Sequence, residues 1–234
     1  MKKPQIFFDL DDTILDFHWA EHRALSRTFR EAGLEPGPEL LDRYSVINVS
    51  QWELLELGEL SRDRVLVRRF ELLFAEFGLS LSAEAISRRY EELLKDGYRF
   101  LPGAEELLRS LRGKARLFLA SNGSAAVQAA RLASSGIAPY FEGIFISEEI
   151  GADKPSTEYF RRCFRRIPDY DPSLALMVGD SLSSDIRGGI RAGMRTCWLN
   201  PSGRPARAEL RPDFEIRRLS ELPALLRKLF DLDI

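Results

Sequence analysis

The sequence has few of the residues that mark secreted proteins, zinc sites and membrane proteins. Its 234 residues include two cysteines and two histidines, too few for a disulfide framework or a cysteine-rich metal site. No apolar run approaches the ~20 residues that a membrane helix requires. Met1–Pro4 leads into the apolar Ile6-Phe7-Phe8 without a signal-peptide stretch. We therefore expect a cytoplasmic protein that does not bind membranes.

No charge of one sign dominates the sequence. Acidic and basic residues number 36 and 34, which gives a formal net charge of -2. This balance lacks the basic excess by which proteins hold nucleic acids electrostatically. With 44% hydrophobic and 30% charged residues, the composition is that of a globular protein. We therefore expect no nucleic acid polymer among its partners.

Short apolar runs alternate with longer amphipathic segments over most of the chain. The runs typical of buried strands are Ile6–Phe8, Ala115–Ala120, Gly143–Ile146, Leu174–Val178 and Arg195–Leu199. The segments typical of helices are Ala104–Leu111, Ser124–Ser135, Thr157–Ile167, Ser184–Ala192 and Leu222–Phe230. This alternation predicts the α/β fold class, with a Rossmann-like, doubly wound parallel sheet.

The segment that follows the first strand departs from this alternation. Its apolar residues recur at helical spacing, as at Leu66, Phe70 and Leu73. The segment is also far longer than the dozen or so residues of an ordinary crossover. We therefore predict two domains, an α/β core formed by residues 1–15 and 99–234 and an inserted α-helical domain formed by residues 16–98.

Polar side chains follow the predicted strands where each strand ends. They are Asp9, Asp11, Ser121, Asn122, Asp180 and Asp185, and Lys154 stands at the predicted start of a helix. In an open parallel sheet, ligands bind beyond the carboxyl ends of the strands. We therefore expect these side chains to meet at one edge of the sheet.

Clustered carboxylates repel one another and need a cation. Hard oxygen ligands without nearby histidine or cysteine favour Mg²⁺. A cation beside a lysine, a hydroxyl and helix N-termini makes an anion site, for which phosphate is the natural ligand. A carboxylate that attacks a phosphate dianion meets like-charge repulsion, which bound Mg²⁺ cancels. The sequence thus predicts a magnesium-dependent phosphate site.

Four segments resemble, in order, the four motifs of haloacid dehalogenase-superfamily phosphatases. They are Asp9-Leu10-Asp11-Asp12-Thr13, Ser121-Asn122, Lys154-Pro155, and Gly179-Asp180-Ser181 through Asp185. Each stands after a predicted strand or at a helix start, and the resemblance covers the whole chain. It implies that the inserted helices form that family's helical cap.

The resemblance implies a covalent route to phosphate ester hydrolysis. Asp9 would attack phosphorus and form an aspartyl-phosphate. Asp11 would protonate the leaving alcohol and then deprotonate the water that hydrolyses the intermediate. Ser121, Asn122 and Lys154 would bind the phosphoryl group, and Lys154 would also pair with Asp9. The substrate would be a small-molecule phosphate monoester.

The same resemblance implies a Mg²⁺ ion held by oxygen ligands. Asp9, the backbone carbonyl of Asp11 and Asp180 would hold the ion, with Asp185 reached directly or through water. Dehalogenases of the superfamily lack an acid at the position of Asp11 and need no metal. The chain therefore resembles the phosphatases and phosphomutases.

Softer similarities indicate one subgroup, the bacterial house-cleaning pyrimidine 5′-nucleotidases. They include Asn48-x-x-x-Trp52, Ile146–Gly151 and Thr196–Asn200, although Gln51 stands where a leucine is common. The similarity implies nucleoside 5′-monophosphates as substrates, pyrimidine ones preferred, with Trp52 at the substrate. We expect a monomer or a weak homodimer.

Three other interpretations stay open from the sequence. The substrate is alternatively a sugar phosphate or another small phosphometabolite. Another alternative is a catalytically silent domain that binds a phosphorylated ligand or a protein partner, although the complete set of Asp9, Asp11 and Asp180 argues against it. His18-Trp19-Ala20-Glu21-His22 fits the H-x-x-E-H pattern of zinc peptidases, although surface histidines on an amphipathic helix explain it more simply.

Overall fold

The computed structural model describes residues 2–206 and 208–232. Contacts divide the chain into two units. One unit holds the chain up to Asp16 and from Phe100 onward, and the other holds Phe17–Arg99. Among the described residues, no helix combines the length and the apolar character needed to cross a membrane.

The described strands form one parallel sheet in the first unit. They are β1 Gln5–Phe8, β2 Arg116–Ser121, β3 Gly143–Ile146, β4 Ala175–Gly179, β5 Arg195–Leu199 and β6 Phe214–Ile216. Their spatial order is β3-β2-β1-β4-β5-β6, and each neighbouring pair is parallel. The chain thus winds from β1 toward β3 and then returns to the other side of β1. The predicted doubly wound parallel sheet is confirmed.

The strand order places the site. Open α/β sheets bind ligands outside the carboxyl ends of the strands, at the point where the winding direction reverses. Here that point lies between β1 and β4, which pair from Gln5↔Ala175 to Phe8↔Val178. The residues directly after Phe8 and Gly179 therefore occupy the position where a ligand is expected.

Both faces of the sheet are buried, which explains why its strands read as continuous apolar runs. Ile6 and Phe8 point to one face, where α5, α6 and α10 contribute to the core. Phe7 points to the other face and packs in the core to which α8 contributes. The helices of this unit are α5 Ala104–Leu111, α6 Ala125–Ser135, α7 Ser147–Ile150, α8 Thr157–Phe164, α9 Arg187–Arg191 and α10 Leu222–Phe230.

Four helices build the second unit. They are α1 Phe17–Glu31, α2 Pro38–Glu56, α3 Arg62–Phe77 and α4 Ala83–Leu94. Ser61 and Ser82 cap α3 and α4, because each side chain accepts a hydrogen bond from a backbone N–H of the first turn. Tyr44 and Phe70 lie 4.9 Å apart between ring centroids, and Phe70 and Tyr90 lie 5.7 Å apart. These aromatic residues form the unit's own core.

The structure differs from the sequence prediction around the last two motifs. The predicted helix Ser184–Ala192 is a π-helical turn at Leu182–Ile186 followed by α9. Helix α8 begins at Thr157, after its N-cap Ser156. Pro155 therefore precedes that helix rather than opening it, and a cis peptide bond joins it to Lys154.

Two further differences concern the end of one helix and a strand that was not predicted. Helix α8 ends at Phe164, short of the predicted Ile167. The strand β6 was not predicted, because three residues, one of them Glu215, are too few to show an apolar run or an alternation.

Candidate active site

The carboxyl ends of β1, β2 and β4 bring three predicted site residues to one edge of the sheet. Asp9 follows β1 directly, Ser121 ends β2, and Asp180 follows β4. The backbone N–H of Asp9 donates to the carbonyl of Val178 at 3.0 Å, which extends the pairing of β1 with β4 by one residue. The position of Asp9 is thus fixed by the backbone of the sheet.

Lys154 reaches Asp9 from the loop before α8. Its Nζ donates to Asp9 Oδ1 at 2.6 Å, to Asp185 Oδ1 at 2.6 Å and to the Ala120 carbonyl at 2.7 Å. An ammonium group has three hydrogens, so all three are engaged. Burial lowers the pKa of Lys154, but the carboxylates of Asp185 and Asp9 outweigh it and raise that pKa above its usual value. Lys154 is a permanent buried cation beside Asp9.

Asn122 holds the backbone of Lys154. The Asn122 side chain donates to the Lys154 carbonyl at 2.9 Å and accepts from the Lys154 N–H at 2.9 Å. Asn122 was predicted to bind phosphate. The structure places its amide on the backbone of Lys154, where it fixes the loop that carries the lysine.

Asp185 is held from two sides. Its Oδ1 accepts from Lys154, and its Oδ2 accepts from the backbone N–H of Ser181 at 3.1 Å. Its carboxylate lies against Gly179, where an added Cβ would come within 2.2 Å of Asp185 Oδ2. Only glycine at the end of β4 allows this approach.

The carboxylates of Asp9, Asp180 and Asp185 each place one oxygen within 4.8 Å of the others. Burial raises the pKa of Asp9 to about 8, against the opposing charge of Lys154. Burial, with the charges of Asp185 and Asp12, also raises the pKa of Asp180 well above its usual value. Crowded carboxylates are the donor set that a hard divalent cation stabilises, and the raised pKa values of Asp9 and Asp180 reflect the cost of burying them without one, so these residues fit Mg²⁺.

Asp180 has supports that the sequence motifs do not show. The Thr13 hydroxyl donates to Asp180 Oδ1 at 3.3 Å, and the Trp198 indole N–H donates to the Asp180 backbone carbonyl at 2.8 Å. Thr13 belongs to the first motif, in which no contact with Asp180 was predicted, whereas Trp198 was predicted only as a buried strand residue. Hydrogen bonds of this kind orient the side chains that bind metal ions, and here they orient Asp180.

Asp11 and Ser121 share partners on α6. Gln128 Nε2 donates to Asp11 Oδ2 at 2.7 Å and to Ser121 Oγ at 2.9 Å. Arg131 forms a salt bridge with Asp11 Oδ1. Gln128 and Arg131 were not predicted as site residues from the sequence. The available signal was weak, a glutamine and an arginine three residues apart on a helix whose other residues are alanine, valine, leucine and serine.

The H-x-x-E-H residues lie in the helical unit. His18, Glu21 and His22 each place one ligand atom within 4.8 Å of the others. The two Glu21 oxygens, however, accept hydrogen bonds from Ser45 and from the Asn48 amide, so the carboxylate is part of a buried polar network. These contacts favour the structural interpretation of the pattern over a zinc peptidase.

Trp52 also lies in the helical unit, on α2. Its side chain is half-buried, and the Arg62 guanidinium carbon stands 5.6 Å from its ring centroid. These contacts belong to the helical unit itself. The role of Trp52 at the substrate therefore stays a prediction.

Comparison with known proteins defines the class. The model of the haloacid dehalogenase-like hydrolase family matches residues 5–193. The chain therefore belongs to that family of hydrolases, which confirms the resemblance seen in the motifs.

Particular relatives span nearly the whole chain. This chain is 38% identical over 221 residues to HAD-hydrolase YfnB of Bacillus subtilis, and the match covers 94% of each protein. A crystal structure of YfnB bound to magnesium matches with a TM-score of 0.92 over 97% of this chain and 99% of that one. Pyrimidine 5′-nucleotidase PynA of Streptococcus pneumoniae is 36% identical over 224 residues, 95% of this chain and 94% of that protein. Pyrimidine 5′-nucleotidase YjjG of Escherichia coli is 34% identical over 228 residues, 97% of this chain and 100% of that protein.

Proposed function

We propose that the protein is a Mg²⁺-dependent phosphomonoesterase that hydrolyses nucleoside 5′-monophosphates, pyrimidine ones preferred, through an aspartyl-phosphate. The observation that carries the proposal is the pair formed by Asp9 and Lys154, 2.6 Å apart, beside Asp180 at the carboxyl edge of the sheet. A carboxylate held against a fixed cation, next to a metal-binding set, suits nucleophilic attack on a phosphate ester.

In the first step, an Asp9 oxygen attacks phosphorus, and the bond from phosphorus to the ester oxygen breaks. Asp11 gives a proton to that departing oxygen, so the alcohol leaves neutral. The Ser121 hydroxyl donates to a phosphoryl oxygen. Lys154 acts through its charge, because its three hydrogens are engaged with other acceptors.

In the second step, Asp11 takes a proton from a water molecule. The water oxygen attacks phosphorus, and the bond from phosphorus to the Asp9 oxygen breaks. The products are the alcohol and inorganic phosphate, and both carboxyl groups return to their starting states. Asp11 therefore serves as acid and then as base.

Asp9, the backbone carbonyl of Asp11 and Asp180 are the groups that would hold Mg²⁺, with Asp185 as a further ligand, direct or through water. Bound Mg²⁺ supplies charge that offsets the repulsion between a carboxylate nucleophile and a phosphate dianion. The proposal is supported by the crowding of these carboxylates and by the magnesium in the YfnB structure.

We assign the helical unit as a cap that excludes water from the site, with Trp52 at the nucleoside. The interdomain movement described for YfnB supports a mobile cap. The preference for pyrimidine nucleotides is supported by PynA and YjjG, whose names state that activity.

The test is phosphate release from a panel of esters, with Mg²⁺ or with EDTA. The panel contains UMP, dUMP, dTMP, dGMP, several sugar phosphates and phosphoglycolate. We expect metal-dependent release, fastest from the pyrimidine nucleotides. Fastest release from a sugar phosphate would keep the mechanism and overturn the nucleotide assignment.

Asp9→Asn is the matched control for the panel. The change keeps the size of the side chain and removes the nucleophile, so we expect a folded protein without turnover. Activity equal to wild type in Asp9→Asn would contradict the mechanism. No release from any ester by the wild-type protein would favour a domain that only binds phosphorylated ligands.

A further inference from the structure

Helix α6 holds a buried polar pair directly behind two catalytic side chains. Gln128 is 2% exposed and Arg131 is 0% exposed. They are three residues apart and therefore share one face of the helix. Arg131 contacts Asp11 Oδ1, while Gln128 contacts Asp11 Oδ2 and Ser121 Oγ. The pair thus touches both side chains that the proposed mechanism uses for proton transfer and phosphoryl binding.

Hydrogen counting fixes the orientation of the Gln128 amide. Its two N–H bonds point to Asp11 Oδ2 and Ser121 Oγ, and its Oε1 accepts from Arg131 at 3.0 Å. A flipped amide would place Oε1 against the Asp11 carboxylate and its NH₂ group against the guanidinium, so the flip is excluded. Because the Ser121 oxygen accepts from Gln128, its own hydrogen remains for donation to a phosphoryl oxygen.

Stability alone does not explain this arrangement. A buried ion pair gains little over apolar side chains of similar volume, because desolvation offsets the attraction. The Asp11 side chain, by contrast, keeps 24% of its surface exposed. Arg131 and Gln128 thus contact the Asp11 carboxylate from the side of α6, and another side of that carboxylate stays exposed. That open side is where a leaving oxygen has to reach it.

We propose that Gln128 and Arg131 are positioning residues that fix the Asp11 carboxylate for its acid and base roles and set the Ser121 hydroxyl as a donor. The inference rests on the proposed phosphatase mechanism and adds two residues to it. It follows from the geometry of β2 and α6 with the turn between them, a segment that carries Ser121 at the end of the strand and Gln128 and Arg131 on the helix.

The test compares leaving groups, because only a poor leaving group needs the proton from Asp11. p-Nitrophenyl phosphate releases nitrophenolate without protonation, whereas an alkyl phosphate would have to release a strongly basic alkoxide if Asp11 did not protonate the leaving oxygen. The variants are Gln128→Met, which keeps the length of the side chain, and Arg131→Met, which keeps an unbranched apolar stem and removes the guanidinium. For the alkyl phosphate that the enzyme hydrolyses best, we expect kcat/KM to fall about 100-fold, and for p-nitrophenyl phosphate less than about 10-fold.

Two reference variants define the scale. Asp11→Asn removes the acid itself and gives the largest difference between the two substrates, measured as leaving-group release in a single turnover. Adding Arg131→Met to Asp11→Asn should lower the single-turnover rate for the alkyl phosphate only slightly further, because both changes remove the same function, protonation of the leaving oxygen by Asp11. Arg131→Lys keeps the charge and should recover part of the activity.

Leu132→Ala is the structural control. Leu132 is buried on the same helix and packs in the core of the sheet, so the change weakens α6 without touching Asp11. We expect a lower melting temperature and an equal change of kcat/KM for the two substrates. If Arg131→Met fails to fold, Gln128→Met and Arg131→Lys carry the test.

The outcomes separate the inference from the proposed function. Equal loss on both substrates in the Arg131 variants, whose contact is with Asp11 and not with Ser121, or a further large loss in the Asp11 double variant, would overturn the positioning role and leave the phosphatase intact. If the wild-type protein hydrolyses neither substrate, the proposed function fails and the inference falls with it. A selective loss on the alkyl phosphate supports both.

Discussion

Lys154 Nζ lies 2.6 Å from Asp9 Oδ1 and 2.6 Å from Asp185 Oδ1, and the lysine is 1% exposed. One buried cation thus joins the residue after β1 to the turn after β4. The two carboxylates that accept from Lys154 have different roles. Asp9 is the proposed nucleophile, whereas Asp185 and Asn122 hold the lysine in place from its two ends.

Lys154→Met should inactivate the protein and weaken its fold. Removing one partner from a buried ion pair costs about 3–5 kcal/mol, because the remaining charges stay in a poorly solvated place. Losing a fixed cation from the transition state costs about 10²–10³ in kcat. The measurements are phosphate release and thermal unfolding, with the exposed Lys114→Met as control. Wild-type turnover in Lys154→Met would remove the lysine from the mechanism.

Gly179→Ala should disturb Asp185 without changing any charge. The added Cβ would lie 2.2 Å from Asp185 Oδ2 and 2.3 Å from its Cγ, so the carboxylate has to move. Such overpacking costs about 1–3 kcal/mol. The displaced carboxylate would also lose its contacts with Lys154 and the Ser181 N–H, so phosphate release should fall as well.

Gly37→Ala provides the comparison for this change. Gly37 has a φ of −77° and no heavy atom within 4 Å of an added Cβ, so the methyl group fits. The loss of a preferred N-cap residue costs about 1 kcal/mol at most, and turnover should not change. If Gly179→Ala and Gly37→Ala changed stability and phosphate release equally, the close approach of Asp185 to β4 would contribute nothing to either.

The thiols of Cys163 and Cys197 should be unreactive in the folded protein. Both are 0% exposed, and burial raises the pKa of each to about 12. The thiolate is the reactive form, so a thiol reagent at pH 8 meets a protonated and covered sulfur. We expect no labelling until guanidinium is added and then two labels per chain, the number of cysteines in the sequence. Fast labelling before unfolding would contradict the buried positions.

The sheet was predictable because local sequence and burial agree there. Strands buried on both faces read as apolar runs, and Phe7 beside Phe8 is such a run. The site followed from the same logic, since Asp9 and Asp180 stand directly after strands that meet at the winding reversal. An apolar run marks a buried strand and also locates the site residues that follow it, so the sequence alone was enough to predict both.

The positioning contacts were not predictable, because they depend on which faces meet in three dimensions. In the sequence, Gln128 and Arg131 look like ordinary polar residues of a helix. Their contacts with Asp11 arise only from the way in which α6 packs in the fold. The Trp198 indole reads as a core aromatic until its N–H meets the Asp180 carbonyl. The turn after Ser181 could not be told from a helix, because its capping hydrogen bond to the Ser184 N–H is also what a helix start shows.

The carboxylates of the site should make the metal-free protein less stable as pH rises. A group whose pKa is raised in the folded state stabilises the fold below its ordinary pKa, and this contribution is lost as pH rises through the folded value. The pKa of Asp9 is raised to about 8, and that of Asp180 is raised well above 3.8. In EDTA, the melting temperature should therefore fall between about pH 4 and pH 8.

Asp180→Asn isolates one of these groups. The amide removes the titrating charge and can still accept from the Thr13 hydroxyl through its Oδ1. In EDTA, the variant should melt above wild type at pH 8 by roughly 2–4 °C for each kcal/mol gained, and at the same temperature near pH 4. Added Mg²⁺ should raise the melting temperature of wild type and have little effect on the variant, because a ligand stabilises only the state that binds it.

The exposed Asp96→Asn serves as control for the loss of one negative charge and should respond to Mg²⁺ as wild type does. If Asp180→Asn melts below wild type at pH 8 in EDTA, the raised pKa is not a source of instability. If Mg²⁺ stabilises the variant as strongly as wild type, Asp180 is not a ligand. The second result would leave Asp9 and Asp185, rather than Asp180, to account for a metal effect.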